Sequence, residues 1–130
     1  MSYYLSQEVN GKSFDEVIEL VTAELKAEGF GVLTEIDISN TFKNKLDVDF
    51  KKYKILGACN PKLAHKALST EDKVGVFLPC NVVVEENDNG NIEVSAVDPV
   101  ASMLAVENEA LGVVISEVKE KLERVISKVK

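Results

Sequence analysis

The chain has 130 residues, of which 45% are hydrophobic and 28% charged, and its formal net charge is −7. This length and composition are typical of one globular domain with its own core, so residues 1–130 are interpreted as a single domain. The acidic balance argues against a nucleic-acid partner, because phosphate binding needs clustered lysine and arginine. No apolar run approaches the ~20 residues of a membrane helix and no basic leader begins the chain, so we expect a cytoplasmic protein without a membrane partner.

The first half of the chain predicts two strands and two helices. Loose alternation over residues 3–9 and clear alternation over residues 30–38 predict the strands. Between them, a capping box at Ser13 begins a helix with one apolar stripe, and Gly29 suits the left-handed end of that helix. A second, short helix is predicted to be capped by Ser39 or Asn40 and to end near Asp47.

A third strand is predicted over residues 54–59, and the chain then turns directly into a helix over residues 61–68. Asn60 is a good N-cap for this helix and Pro61 a good first residue. We expect the strand to end at Cys59 and the helix to bury one apolar stripe.

The next segment predicts a β-hairpin. Residues 74–78 indicate a fourth strand, which Pro79 interrupts and which continues over residues 81–86. Asn89-Gly90 is the expected tight corner, and residues 92–97 alternate as the return strand.

The C-terminal part predicts a short helix opened by Asp98-Pro99 and then one long helix. The order of elements predicts an α+β fold, a two-layer sandwich with a mixed β-sheet of about five strands and helices mainly on one face. Val82, Val83 and Val84 are apolar on both sides of their strand, which predicts that both faces of the sheet are covered. A homodimer is the economical way to cover the second face.

Two Cys-Asn pairs are the candidate functional site: Cys59-Asn60 and Cys80-Asn81. Strand-like runs flank both pairs, so they can meet in the fold, and a reducing compartment predicts free cysteines. A redox pair, a thiolate metal site and a nucleophilic cysteine are all compatible with this pattern. The alternative is that both cysteines are small buried hydrophobic residues.

The sequence offers only weak support for further polar residues in the candidate site. A metal needs three or four ligands, and the chain has two cysteines and one histidine without a metal-binding spacing, so no metal or cofactor is predicted. His65 would assist Cys59 only if it lay within reach, and its helical position is at the edge of the apolar stripe. Asn60 and Asp98 suit helix caps, whereas a binding site would have Asn60 and Asn81 facing one pocket.

The chain resembles the prokaryotic family called domain of unknown function 302 over nearly its whole length. The resemblance is carried by these segments: Gly31-Val32-Leu33-Thr34-Glu35-Ile36-Asp37, Gly57-Ala58-Cys59-Asn60-Pro61, Ala64, Ala67-Leu68, Gly75-Val76-Phe77-Leu78-Pro79-Cys80-Asn81-Val82 and Val97-Asp98-Pro99. The resemblance implies a compact α+β fold, usually a homodimer, with no established activity. His65 departs from the tyrosine that is more usual in the family at that position, which weakens any role for the imidazole.

The leading hypothesis is a homodimeric domain that binds a small molecule or acts as an accessory module. Its predicted ligand-binding residues are these: Cys59, Asn60, His65, Cys80, Asn81 and Asp98. The first alternative is a thiol-dependent redox or metal-handling protein that uses Cys59 and Cys80. The second is a purely structural interaction domain, and the sequence does not decide whether the protein is an enzyme.

Overall fold

The computed structural model describes residues 2–130. The strands are β1 (Tyr4–Val9), β2 (Gly31–Asp37), β3 (Tyr53–Cys59), β4 (Cys80–Glu86) and β5 (Ile92–Val97). The helices are α1 (Phe14–Ala27), α2 (Ile38–Leu46), α3 (Pro61–Thr70), a 3-10 helix (Asp72–Phe77), α4 (Pro99–Ser102) and α5 (Leu111–Lys128). Within residues 2–130, no helix is both long and apolar enough to span a membrane.

The five strands form one sheet in the order β1-β5-β4-β3-β2. The predicted α+β sandwich is confirmed, but the prediction of a mixed sheet is wrong, because all four neighbouring pairs are antiparallel. The physical reason is the position of β1. It pairs with β5 at one edge and β2 pairs with β3 at the other, so α1 joins strands at opposite edges and creates no parallel pair.

Local capping signals begin α1 and end α1 and α2 as expected, but the predicted cap of α2 at Ser39 or Asn40 is wrong, because Asp37 caps this helix. The Ser13 hydroxyl accepts from the Glu16 amide at 3.1 Å, and the Glu16 carboxylate accepts from the Ser13 amide at 2.9 Å. Gly29 has a φ of 88°, the left-handed conformation that ends a helix. Asp47 adopts the same region with a φ of 52° after α2. These ends depend only on neighbours in the chain, which explains why they were predictable.

The strand predicted over residues 74–78 is wrong, because the 3-10 helix Asp72–Phe77 occupies this segment. A short apolar run suits a strand and a buried helical turn equally well, so its periodicity was ambiguous. Val74 is buried, whereas Val76 is 81% exposed, which is the pattern of one helical turn lying on α3. The strand β4 begins only after Pro79, at Cys80.

Buried apolar side chains form two separate clusters. The larger, here called the sheet core, joins α1 and α5 to one face of the sheet through residues such as Leu25, Leu56 and Leu122. The smaller, here called the cap cluster, lies between α3, the 3-10 helix, α4 and the start of α5. Its buried members are Ala67, Val74, Met103 and Leu111. The two clusters meet where β3 and β4 end, and this junction contains the candidate site.

Candidate functional site

Both cysteines line one apolar cavity between the sheet core and the cap cluster. Its walls come from the ends of β3 and β4, from α3 and from the first half of α5. Antiparallel pairing places Ala58 directly opposite Cys80, and Cys59 is the next residue along β3. The volume open to a water-sized sphere is about 40 Å³. Both cysteines of the candidate site therefore border the same cavity.

Cys80 is the first residue of β4 and is 7% exposed. Burial raises the pKa of its thiol to about 11, and the nearby Cys59 adds to this increase. The cause is desolvation, because a thiolate loses its hydration in an apolar wall. At neutral pH the Cys80 thiol is therefore protonated, which argues against Cys80 as a nucleophile or as the attacking group of a redox pair.

Cys59 ends β3 and is half-buried. It is followed by Asn60, the N-cap of the ten-residue helix α3, so the positive end of the helix dipole lies beside it. The two sulfur atoms are not bonded to each other. Cys59 is thus the more accessible of the two cysteines.

Asn60 borders the cavity, but hydrogen bonds to the backbone already engage its amide. The Asn60 Oδ1 accepts from the Leu63 amide at 3.3 Å, and its Nδ2 donates to the Glu28 carbonyl at 3.3 Å. A Cβ on Gly29 would lie 3.0 Å from that Nδ2, so glycine permits the close approach. The interpretation of Asn60 as a helix cap accounts for both of its polar atoms.

Asn81 does not join the cysteines. It follows Cys80 in β4, and because successive strand residues point to opposite faces, its side chain lies on the other face of the sheet. There it lines a broad depression with Tyr4, Tyr53 and Val83. Cys59 and Cys80 thus both line the cavity, whereas the Asn81 side chain lies elsewhere.

His65 and Asp98 also lie outside the cavity wall. His65 is exposed on α3, away from the apolar stripe of that helix. Asp98 is 7% exposed and caps α4, accepting from the Val100 amide at 3.0 Å and the Ala101 amide at 3.3 Å. The Asp98 carboxylate also forms an ion pair with Lys119 of α5 at 3.1 Å. It joins the cap cluster's elements to α5 and does not face the cavity.

The net pKa of Asp98 lies below its usual value. Burial acts to raise this pKa, but the hydrogen bonds from Lys119, Ala101 and Val100 together outweigh it. Asp98 is therefore a charged structural group near neutral pH, as its capping role requires.

Sequence reasoning missed Met103, which ends α4 and contributes to the cavity wall. No local sequence signal identifies Met103. It lies 23 positions after Cys80 in the chain and approaches the cysteines only through the packing of the cap cluster. The rest of the wall is almost entirely hydrocarbon, from residues including Phe30, Ala64, Ala67, Val114 and Val118. Residues 2–130 contain no group of three histidine, cysteine, aspartate or glutamate side chains placed to hold a metal ion.

Comparisons with known proteins agree with this architecture. The family model described as "Domain of unknown function DUF302" matches residues 5–129. The chain is similar to the crystal structure of an uncharacterized conserved DUF302 protein from Bacillus stearothermophilus, at 27% sequence identity and with a TM-score of 0.92. That similarity covers 100% of both chains. No functionally curated protein matches the chain.

Proposed function

Since the chain belongs to the family described as domain of unknown function DUF302, we propose a function from its own cavity: a homodimeric binding domain without catalytic machinery, whose ligand enters between Cys59 and Cys80. The observation that carries this proposal is the composition of the wall. Two cysteines line one otherwise hydrocarbon cavity, and the one side-chain amide among its lining residues in 2–130 is already hydrogen-bonded. Apart from these two thiols, no side chain that could act as a general acid or base is among those lining residues, which favours binding over catalysis.

The size of the cavity limits the ligand. Drug-sized molecules occupy pockets of about 300–1,000 Å³. A cavity of about 40 Å³ has room for an ion, an atom or a molecule of very few heavy atoms. The small molecule expected from the sequence is therefore restricted to the smallest ligands.

Xenon and benzene test whether the cavity admits a guest of this size. We expect xenon to shift the NMR methyl signals of Ala58, Ala67 and Val118, and benzene to leave them unchanged because it is too large. Ala64→Leu fills the wall and should abolish the xenon effect. Ala23→Leu, at an exposed position of α1, is the matched control and should preserve it. Absence of xenon shifts, or equal shifts in Ala64→Leu, would refute a ligand cavity at this position.

The homodimer is supported by the sheet face that lies opposite α1 and α5. Ile36, Ile55 and Val83 are aligned across three strands of this face, where Ile36 is 46% exposed and the other two are half-buried. An aligned apolar row on a solvent-facing sheet indicates an interface.

The polar residues beside this row favour a second copy as the partner. Glu8, Glu85 and Glu93 are aligned on one side of the apolar row, and Thr34 and Asn81 lie on the other. A two-fold axis along the row would place the Glu85 carboxylate of each copy, which already pairs with Lys51, opposite the Asn81 amide of the other. This self-complementarity suits an isologous dimer and gives Asn81 a role away from the cysteines.

Light scattering during size exclusion tests the dimer. Val83→Lys places a charge in the centre of the row and should convert a dimer to a monomer. Val113→Lys, at a position of α5 that is 78% exposed, is the matched control and should not change the mass. A monomeric wild-type chain at micromolar concentration would contradict the proposal.

A further inference from the structure

All the sulfur-bearing side chains of residues 2–130 line the same cavity. They are Cys59 at the end of β3, Cys80 at the start of β4 and Met103 at the end of α4. The chain has only two cysteines and two methionines, and the remaining methionine is Met1. Three separate segments thus contribute sulfur-bearing residues to the lining of one small cavity.

The rest of the wall excludes most other ligands. Calcium and magnesium need several oxygen ligands, and zinc at a structural site is usually held by four nitrogen or sulfur ligands. Among residues 2–130, no carboxylate or imidazole lines the cavity, and the Asn60 amide is already engaged in hydrogen bonds. Thiolate and thioether ligands instead select soft monovalent ions such as Cu(I).

We propose that this cavity binds a single soft monovalent metal ion, of the Cu(I) class, through the Sγ atoms of Cys59 and Cys80, with the Met103 Sδ as a third ligand. The inference rests on the proposed function, because it assumes that the cavity admits a ligand. It names the class of that ligand from the donor atoms and from a volume that suits one ion.

Binding changes protonation and leaves the oxidation state of the metal unchanged. Each thiol loses one proton to solvent as its metal–sulfur bond forms, so about two protons are released per ion if both start protonated. Two thiolates and one monovalent cation leave the site with a single negative charge. The positive end of α3, which begins directly after Cys59, stabilises that charge.

Different residues would first contact the incoming ion and then enclose it. Cys59 is half-buried and offers the first sulfur to an incoming ion, whereas Cys80 and Met103 are buried at 7% and 8% exposure. Because Met103 belongs to the cap cluster, a metal bond to it would join the cap cluster to the sheet. Metal binding should therefore protect the cap cluster from hydrogen exchange.

The test is an anaerobic titration with Cu(I) against a chromophoric Cu(I) chelator, repeated with Ag(I). We expect one ion per chain and about two protons released. We also expect X-ray absorption to show a shell of sulfur alone. Cys59→Ser and Cys80→Ser should each abolish tight binding. Met103→Leu, which keeps the apolar volume, should weaken binding and reduce the number of sulfur neighbours.

Thermal unfolding of each variant and xenon binding by NMR separate the possible outcomes. Cu(I) binding that survives in folded Cys80→Ser would overturn the site, because Cys59 alone would then suffice. Equal retention of Zn²⁺ would overturn the soft-ion class. If xenon enters and Cu(I) does not bind, this inference fails and the ligand cavity stands. If neither enters, the cavity fails as a ligand site as well.

Discussion

The sheet core and the cap cluster both consist of buried apolar residues, but different kinds of secondary-structure element supply those residues. In the sheet core, whole strands and two long helices pack together, and residues such as Leu25, Leu56 and Leu122 are fully buried. The cap cluster has four buried residues, supplied partly by a six-residue 3-10 helix and a four-residue α-helix. Short elements with few buried contacts open more readily, so the cavity lies between a rigid wall and a more mobile one.

The sharpest way to test this difference is the same substitution at two positions of one helix. Leu111 and Leu122 are both on α5 and are 1% and 0% exposed, but Leu111 belongs to the cap cluster and Leu122 to the sheet core. We expect Leu122→Ala to reduce the free energy of unfolding by about 3–5 kcal/mol and Leu111→Ala by about 2–3 kcal/mol. Urea denaturation measures both.

Hydrogen exchange provides the second readout for this pair. Leu111→Ala should accelerate exchange mainly in the 3-10 helix and α4, whereas Leu122→Ala should accelerate it throughout the sheet. Equal losses of stability with the same exchange pattern would show that the two clusters unfold as one unit and would remove the distinction.

The pH dependence of the free energy of unfolding tests the burial of Cys80 at the boundary between the two clusters. Its pKa is raised to about 11, so its burial stabilises the folded chain at low pH. That contribution is complete below the unfolded pKa of about 8.5 and is lost as the pH rises through the folded value, by at most about 1.4 kcal/mol per pH unit. The free energy of unfolding of wild type should therefore fall relative to that of Cys80→Ala between about pH 8.5 and 11. Parallel curves for the two proteins would mean that Cys80 is hydrated.

Substitution of Asp98 tests the Asp98–Lys119 ion pair, here called the tether, which links the start of α4 to α5. Asp98→Asn keeps an oxygen that can cap α4 but removes the charge that pairs with Lys119, so we expect a loss of about 1 kcal/mol at pH 7 and faster exchange in α4. Since the pKa of Asp98 is lowered in the folded chain, its contribution is present above about pH 4 and is lost as the pH falls through the folded value. The difference between the two proteins should shrink in acid.

Asp37→Asn is the matched control for that tether. Asp37 caps α2 by accepting from the Asn40 amide at 2.9 Å, and its pKa is also lowered, mainly by that hydrogen bond. Because asparagine caps helices about as well as aspartate, we expect a smaller loss of stability, without faster exchange in α4. Loss of α4 protection in both variants would show that the effect does not depend on the Asp98–Lys119 tether.

The parts of the fold that the sequence predicted correctly are local ones. The capping box at Ser13, the glycine end at Gly29 and the turns at Asn60 and Asp98 each depend on residues within one or two helical turns. The antiparallel order was not predictable in this way, because the placement of β1 beside β5 is decided by packing between residues nearly ninety positions apart.

The candidate site likewise has features that local sequence predicts and features that depend on long-range packing. Cys59 and Cys80 border one cavity because β3 pairs with β4, the two strands whose hydrophobic runs flank the cysteines. The position of Asn81 on the opposite face follows from simple alternation once β4 is known to begin at Cys80. The incorrect strand prediction over residues 74–78 obscured the start of β4 at Cys80. Met103 could not be found at all, because only the docked cap cluster brings it to the cysteines.

The division of the cavity wall between two clusters also has a consequence for protein engineering. Substitutions on the sheet side risk the stability of the whole fold, since Ala58 and Cys80 belong to the sheet core. Those on the cap side, at positions such as Ala67 and Met103, affect a cluster of four buried residues. A library confined to the cap side can therefore vary donor atoms and cavity size while the five-stranded scaffold remains intact.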